Sequence, residues 1–276
     1  MKVITEKQDK PVQNIEVFTV CSYTPLVFRW LSSLESTGFD AKNHAHILLT
    51  NDVPEKILAN IKSRVKTLLI EEMTWHKDFR ENSKYGVLHG NKQKGIQLFI
   101  EYGLKEISGF DLNTVLFYSD AFDTVFYKNP AQYEYKHAIF CADDCLPISQ
   151  HPQYSQIIDK NYSMLLLLNS GVYCMKVRDH IYFNGYCLHN QGKTTSEKGE
   201  FNTWIYSGNH DFGDFGQILN HEKGATHVKN KDGKLHKLGY TSEICVLHAN
   251  GNSKNILENY MTQVACVNIH NMIENS

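Results

Sequence analysis

The chain has no apolar run long enough to cross a bilayer. Its longest purely aliphatic stretch, Met164 to Leu168, is far short of the roughly 20 residues a spanning helix needs. The amino terminus, MKVITEKQDKPVQN, is polar and lacks the apolar core of a signal peptide. Charge of one sign is missing too. A net charge of -2 gives no global attraction to nucleic acid or anionic membrane, so any such partner must be recognised by a local groove. Cysteine is neither dense nor paired in a pattern. The seven residues are spread along the chain, unlike the framework of a small secreted domain, which points to a reducing, cytoplasmic setting. Cys141 and Cys145 lie close together in CADDC, but no second close pair follows to complete a structural zinc site. Proline is scarce (6 residues), and with abundant Lys, Asn, Ile, Tyr and Phe this hints at an AT-rich genome.

Several familiar motifs are absent. No G-x-S-x-G elbow and no dinucleotide fingerprint occurs. GVLHGNK at 86–92 has its glycines too close for a phosphate-binding loop, and no Ser or Thr follows Lys92. The histidines of HEKGATH at 221–227 are not at helical zinc-protease spacing. His44 and His46 share one side of an expected strand and read as a satisfied or exposed pair. No repeat, low-complexity tract or linker interrupts the chain, so 1–276 reads as one domain with an ordinary hydrophobic content of 42%.

What is present is an alternation of apolar strands and helices. Ile15 to Val20, Ala45 to Thr50 and Thr67 to Ile70 read as strands. Leu26 to Leu34 and Pro54 to Val65 read as the helices between them. This is an α/β pattern with a largely parallel sheet. Glu71 to Lys94 shows no period and is expected as a loop or short helices, followed by a helix over Ile96 to Leu104. Further strands are expected at Val115 to Tyr118, His137 to Ala142, on both sides of a tight Gly171, and at Ile244 to Leu247. Arg178 to Leu188 is a candidate helix, Phe201 to Tyr206 starts another element, and Gly192 to Gly199 and Asn209 to Gln217 read as loops.

The central stretch is VLFYSDAFDTVF, 115–126. A buried strand breaks at Asp120 and Asp123 and then resumes. Carboxylates are seldom buried unless paired or bound to a metal, and the carboxyl ends of strands in an open sheet are where ligands bind. D-x-x-D alone is a weak motif, equally a strand followed by an acidic turn. Other polar residues also stand at expected strand ends: Ser22, Asp143, Asp144, Asn169, His248 and Asn250. Two carboxylate oxygens and an imidazole nitrogen suit a divalent ion of intermediate hardness such as Mn²⁺, with open positions for phosphate oxygens. Lys94 and Lys254 could add point charges or be solvated surface residues.

These segments resemble, in order over roughly 240 residues, the glycosyltransferase domain of procollagen lysyl hydroxylases and related collagen glucosyltransferases. VLFYSDAFDTVF looks like that family's metal-binding strand. FTVCS at 18–22 is similar to its first strand, implying that Thr19, Val20 and Ser22 contact a uridine. GNKQKG at 90–95 resembles its lysine-containing loop, implying that Lys94 reaches the donor nucleotide. FCADDCLP at 140–147 falls where the family has a strand and an acidic residue. LNSGVY at 168–173 matches its turn beside the donor sugar, which places Asn169, Ser170 and Gly171 there. VLHANGNSK at 246–254 implies His248 as third metal ligand beside Asp120 and Asp123, with Asn250, Gly251 and Lys254 near the diphosphate.

The resemblance implies a GT-A fold, an open doubly wound mixed sheet with helices on both faces. It also implies an Mn²⁺-dependent transferase that uses a nucleotide-sugar, a UDP-sugar, with retention of configuration. It is loosest on the acceptor side, where the family's Asp-rich run is replaced by GEFNTW at 199–204. Asp143, Asp144, Asn169, Glu200, Asp211 and Asp214 are the catalytic candidates, with Asn202 a further substitute in GEFNTW. For the acceptor, the family suggests hydroxylysine of a collagen-like chain. A compact chain with no secretory signature fits a hydroxymethylated base (5-hydroxymethylcytosine) in phage DNA better. Trp75, His76, Lys77, Arg80 and Lys84 supply the basic and aromatic mix to hold phosphates and an extruded base. A non-catalytic nucleotide-sugar binder and a metal-dependent phosphohydrolase are the rival classes.

Overall fold

The structure is a computed structural model that describes residues 14–51, 53–71, 86–132, 135, 137–190, 197–214, 216–219, 227–229, 235–237 and 244–249. Seven strands form the main sheet: β1 (Ile15–Cys21), β2 (Ala45–Leu49), β3 (Thr67–Ile70), β4 (Val115–Ser119), β6 (Ile139–Pro147), β7 (Leu166–Lys176) and β8 (Phe212–Asp214). Their order is β3-β2-β1-β4-β7-β6-β8. The strands run parallel except β7, which is antiparallel to both of its neighbours. The sheet is therefore mixed, not simply parallel, and its strand order reverses direction at β1.

Strand alternation explains the two-sided core. Val17 and Cys21 of β1 and Val115 and Phe117 of β4 face one apolar cluster, while Phe18, Val20, Leu116 and Tyr118 face the other. The first cluster is covered by α1 (Leu26–Ser36), through Trp30, Leu31 and Leu34, and by Ile61 of α3 (Glu55–Arg64). A short helix, α2 (Ala41–His44), lies between them in sequence. The second cluster is covered by α4 (Gly86–Glu106), α6 (Val177–Asn190) and α7 (Glu197–Ser207), with a one-turn helix α5 (Pro152–Ser155) preceding β7. Helix α1 stops where Gly38 takes φ +78, a left-handed turn open to glycine, and its N–H bonds back to the Glu35 carbonyl at 2.9 Å.

A second, three-stranded sheet of β5 (Thr124–Phe126), β12 (Val246–Ala249) and β9 (Gly216–Leu219) packs against the first cluster through Phe126 and Val246. A separate hairpin pairs β10 (His227–Lys229) with β11 (Leu235–Lys237).

Several expected boundaries differ. The helix expected from Ile96 begins at Gly86, and α7 begins at Glu197 inside the expected polar loop. β6 continues to Pro147, so Asp143 and Asp144 lie within a strand whose register shifts on both sides of Asp143. β7 runs unbroken through Gly171, with no turn there. The loop expected at 209–217 contains β8 and part of β9. In each case tertiary pairing overrides a polar local composition.

His44 and His46 do not share a strand, since His44 ends α2 and only His46 lies in β2, but both side chains pair with Glu16. His46 is fully buried with Nε2 2.7 Å from Glu16 Oε2, and His44 Nδ1 lies 3.4 Å from the other Glu16 oxygen, which also accepts from Lys66 Nζ at 3.0 Å. Burial pulls the His46 pKa down. Burial would raise that of Glu16, but the His46 and Lys66 contacts outweigh it and lower the carboxyl. His180, buried under β4, donates Nε2–H to the Leu116 carbonyl at 3.1 Å, and burial pushes its pKa down to about 4.

All three groups titrate lower in the folded than in the unfolded chain. Their stabilisation is present above the unfolded values and lost as pH falls. For His180 the window runs from pH 6.5 down to about 4. The expected result is a urea midpoint that falls between pH 7.5 and 4.5, with about 2–3 kcal/mol lost from His180. An unchanged midpoint would contradict these assignments.

Candidate functional site

β4 ends at Ser119, a tight turn carries Asp120 to Asp123, and β5 leaves for the small sheet. The turn is pinned from both sides. Asp120 N–H donates to the Gly171 carbonyl of β7 at 2.8 Å, and Ala249 N–H of β12 donates to the Asp123 carbonyl at 2.7 Å. Arg29 of α1 donates to the Phe122 carbonyl, and Trp30 Nε1–H donates to Ser119 Oγ at 2.7 Å. Because His248 is in register with Thr124, its ring lies beside the turn.

One ligand atom each from Asp120, Asp123 and His248 lie within 4.8 Å of one another, the sole such group among the described residues. His248 Nε2 is 3.0 Å from Asp123 Oδ1 and 3.9 Å from Asp120 Oδ2. Burial works against the imidazolium, but Asp123 and Asp120 outweigh it and raise the pKa. Exposure rises from 4% at the His248 side chain through 13% at Asp123 to 35% at Asp120, so the cluster opens to solvent at Asp120. Two carboxylates and an imidazole are a donor set for a divalent ion. Gly171 leaves room beside it: a Cβ there would lie 2.5 Å from His248 Cε1 and 2.7 Å from Asp120 Oδ2. The residues present fit a metal.

A buried polar network backs this cluster. Tyr118 OH donates to Asp120 Oδ1 at 2.6 Å. Lys92 Nζ lies 3.4 Å from the same oxygen, 3.0 Å from Glu197 Oε1 and 2.9 Å from the Ser170 carbonyl, and stands over the Tyr118 ring. Gln93 Nε2 donates to Glu197 Oε1 at 3.0 Å. Burial disfavours the Lys92 ammonium, but Asp120 and Glu197 outweigh it and raise the pKa. Burial, then Asp120, pushes the Tyr118 phenol well up, so it stays a donor. Lys92→Met would remove the ammonium 3.0 Å from the buried Glu197 carboxylate and is expected to cost about 3 kcal/mol; the double variant with Glu197→Gln should recover most of it in urea unfolding.

Lys92 and Glu197 escaped the reading by composition. Lys94, the expected donor lysine, is exposed on α4; Lys92 is the lysine that enters the cluster. On a helix Lys92 shares a face with the buried Ile96 and Phe99, while Lys94 is half a turn away, a signal available once the segment is read as helical. Glu197 was hidden in the expected loop.

The other expected residues divide by place. Asn169 and Ser170 are buried in β7, and Asn169 Oδ1 accepts from Gly171 N–H at 2.7 Å. Thr19 and Val20 are buried in β1, and Ser22 is half-buried at its end. Burial, then Asp120, raises the neighbouring Cys21 thiol to about 12, which puts the end of β1 near Asp120. Asn202 is spent on backbone: its amide accepts from Leu168 N–H at 2.8 Å and donates to the Leu168 carbonyl at 2.9 Å. Glu200 is buried near Cys187, and it is Glu197, one turn earlier, that faces Lys92.

Asp211 is a correction. It pairs with His137 at 2.9 Å, and its carbonyl accepts from Ile139 N–H at the start of β6. The sheet register puts that position level with the beginning of β4, the end opposite Asp120. Asp143 pairs through its backbone with Leu168. The side chains of Asp143, Asp144 and Asp214, and all of Trp75, His76, Lys77, Arg80, Lys84, Asn250, Gly251 and Lys254, lie outside what the structure describes.

No protein-family model matches the chain, and no curated protein matches it in sequence. Solved structures do. The galactosyltransferase LgtC, crystallised with donor and acceptor sugar analogues, superposes with a TM-score of 0.54 over 94% of both chains at 13% identity. Mouse xyloside xylosyltransferase 1 in its apo form gives 0.50 over 87% of this chain and 99% of that one, at 11% identity. The fold is GT-A. The GT-A sheet carries the Asp120–Asp123–His248 cluster at the carboxyl end of β4, beside the strand that reverses direction. Among the described residues no helix is long and apolar enough to cross a membrane.

Proposed function

We propose that the chain is a glycosyltransferase domain that moves a sugar from a nucleotide-sugar, a UDP-sugar, to an acceptor hydroxyl. One observation carries this reading: in a GT-A fold, two carboxylates and an imidazole from separate segments converge within 4.8 Å at the carboxyl end of a central strand. A divalent ion such as Mn²⁺, held by Asp120, Asp123 and His248, would supply Lewis-acid neutralisation of the departing diphosphate.

The remaining work falls to the chain's own groups. Lys92, kept cationic by Asp120 and Glu197, presents fixed positive charge beside the cluster, where negative charge builds on the leaving group. Tyr118 holds one Asp120 oxygen by its hydrogen bond and leaves the other facing His248. Gly171 keeps the approach clear of side-chain atoms. Asn202 clamps β7 at Leu168, one residue before Asn169, so the Asn169–Gly171 edge is fixed against the cluster.

For the acceptor we favour a hydroxymethylated base in DNA, on the basic and aromatic residues between Glu71 and Lys94, with hydroxylysine as the alternative. The test is release of UDP from several UDP-sugars with Mn²⁺, with and without hydroxymethylated DNA or a hydroxylysine peptide. A transferase gives release stimulated by one acceptor. A phosphohydrolase gives nucleoside monophosphate regardless of acceptor, and a binder gives no turnover; either result rejects the proposal.

A further inference from the structure

A cavity of about 240 Å³ opens at the amino-terminal end of β4, the end of the sheet opposite the Asp120 cluster. Its floor is apolar: Val115, Phe140 and Cys174 are buried, and Tyr135 packs edge-on to the Phe140 ring at 5.2 Å. Its rim is cationic. Lys176, the last residue of β7, is paired with Val115 of β4 in the sheet, and its ammonium makes no hydrogen bond or ion pair among the described residues. Arg178, in the first turn of α6, is half exposed, and among the described residues its side chain pairs only with Asp179, at 3.8 Å.

Among the described residues lining the cavity, Asp179 is the one carboxylate, against the two cations Lys176 and Arg178. Burial raises its pKa, although Arg178 and Lys176 pull the other way. His137, on the same rim, is turned by its Nδ1 contact with Asp211 at 2.9 Å and lies over Gly213, where a Cβ would come within 2.4 Å of the ring. That side of the mouth is therefore fixed by a specific contact.

We propose that this cavity is a second binding site, for a small organic monoanion with an apolar body, such as an aromatic carboxylate. Lys176 and Arg178 against Asp179, the charged lining among the described residues, favour an anion, and the floor selects a ring over a fully hydrated ion. At roughly 30 Å³ per water the space equals about eight waters, which suits a molecule of about ten heavy atoms. The site is separate from the Asp120 cluster, so its occupancy does not depend on the proposed transferase reaction.

The experiment is calorimetric titration of the intact chain with phenylacetate, with phenylacetamide and acetate as controls. Phenylacetate should bind once per chain with Kd of about 1 mM or tighter. Phenylacetamide, lacking the charge, and acetate, lacking the ring, should each bind at least about tenfold more weakly. Lys176→Gln with Arg178→Gln, which keep size and remove charge at half-exposed positions, should weaken phenylacetate by at least about tenfold with an unchanged circular dichroism spectrum, whereas Asp120→Ala should bind it as the wild type does. No uptake by the wild type, equal uptake of phenylacetamide, full binding by the charge-removed variant, or loss of binding in Asp120→Ala would each overturn the proposal.

Discussion

Replacing Asp120 by alanine, or His248 by glutamine, should lower Mn²⁺-stimulated turnover by about 10³-fold or more while leaving the chain folded. A bound metal is worth several kcal/mol of leaving-group stabilisation, and each 1.36 kcal/mol is tenfold in rate. Survival of the fold follows from the surroundings. Without the Asp120 carboxylate, Lys92 still has Glu197 at 3.0 Å and the Ser170 carbonyl at 2.9 Å, so no buried charge is stranded. The backbone bond from Asp120 N–H to Gly171 does not involve the side chain. Glutamine at 248 keeps a polar atom facing Asp123 in an otherwise apolar strand, Val246–Ala249. Thermal unfolding and metal titration separate the two effects: a small change in melting temperature with lost metal affinity supports the account. Full turnover in Asp120→Ala would remove the cluster from the chemistry.

Gly171→Ala should be almost as damaging, for a steric reason. Gly171 does not need a glycine backbone, since positive φ among the described glycines occurs at Gly38 and Gly109 and β7 is continuous through 171. It needs space. An added Cβ would sit 2.5 Å from His248 Cε1, 2.8 Å from Nε2 and 2.7 Å from Asp120 Oδ2, closer than nonbonded atoms approach. Both intruded side chains must move, and they move apart. Asp120 can swing outward because it is the exposed member, whereas His248 is enclosed. The expected outcome is at least about 10²-fold loss of turnover, consistent with a displacement of about 1 Å at a reacting site, with weakened metal binding and a stability change of about 1 kcal/mol. Calorimetric metal titration together with denaturant melts measures both. An alanine variant with unchanged metal affinity would show that the approach past Gly171 is not part of the site.

How much of this was legible in the sequence depended on whether local pattern and tertiary pairing agreed. They agreed for β1, β2 and α1, where short apolar runs and helical spacing marked residues that the fold buries, such as Val17, Ile47 and Trp30. They agreed at Asp120 and Asp123, because a carboxylate pair interrupting an apolar strand is conspicuous wherever the strand lies. His248 was different. Its place at an expected strand end made it one of several polar candidates, and the ordered resemblance of distant segments made it a ligand; its position is set by pairing with Thr124 of β5.

The misses share a cause. Glu197 and Lys92 stand in stretches whose polarity read as loop, yet they are polar because they form a buried charge network, and both stretches are helical. Asp211 had the right chemistry and the wrong end of the sheet, which only strand order reveals. Asn202 looked like a substitute for an acceptor carboxylate, and its amide is consumed by the Leu168 backbone.

The most direct check is crystallographic. Crystals soaked in Mn²⁺ and UDP should show, at the manganese absorption edge, a single strong anomalous peak at about 2.0–2.3 Å from one oxygen of Asp120, one oxygen of Asp123 and Nε2 of His248, with diphosphate oxygens on its open side. A peak elsewhere, or UDP bound with no metal at these three residues, would contradict the account.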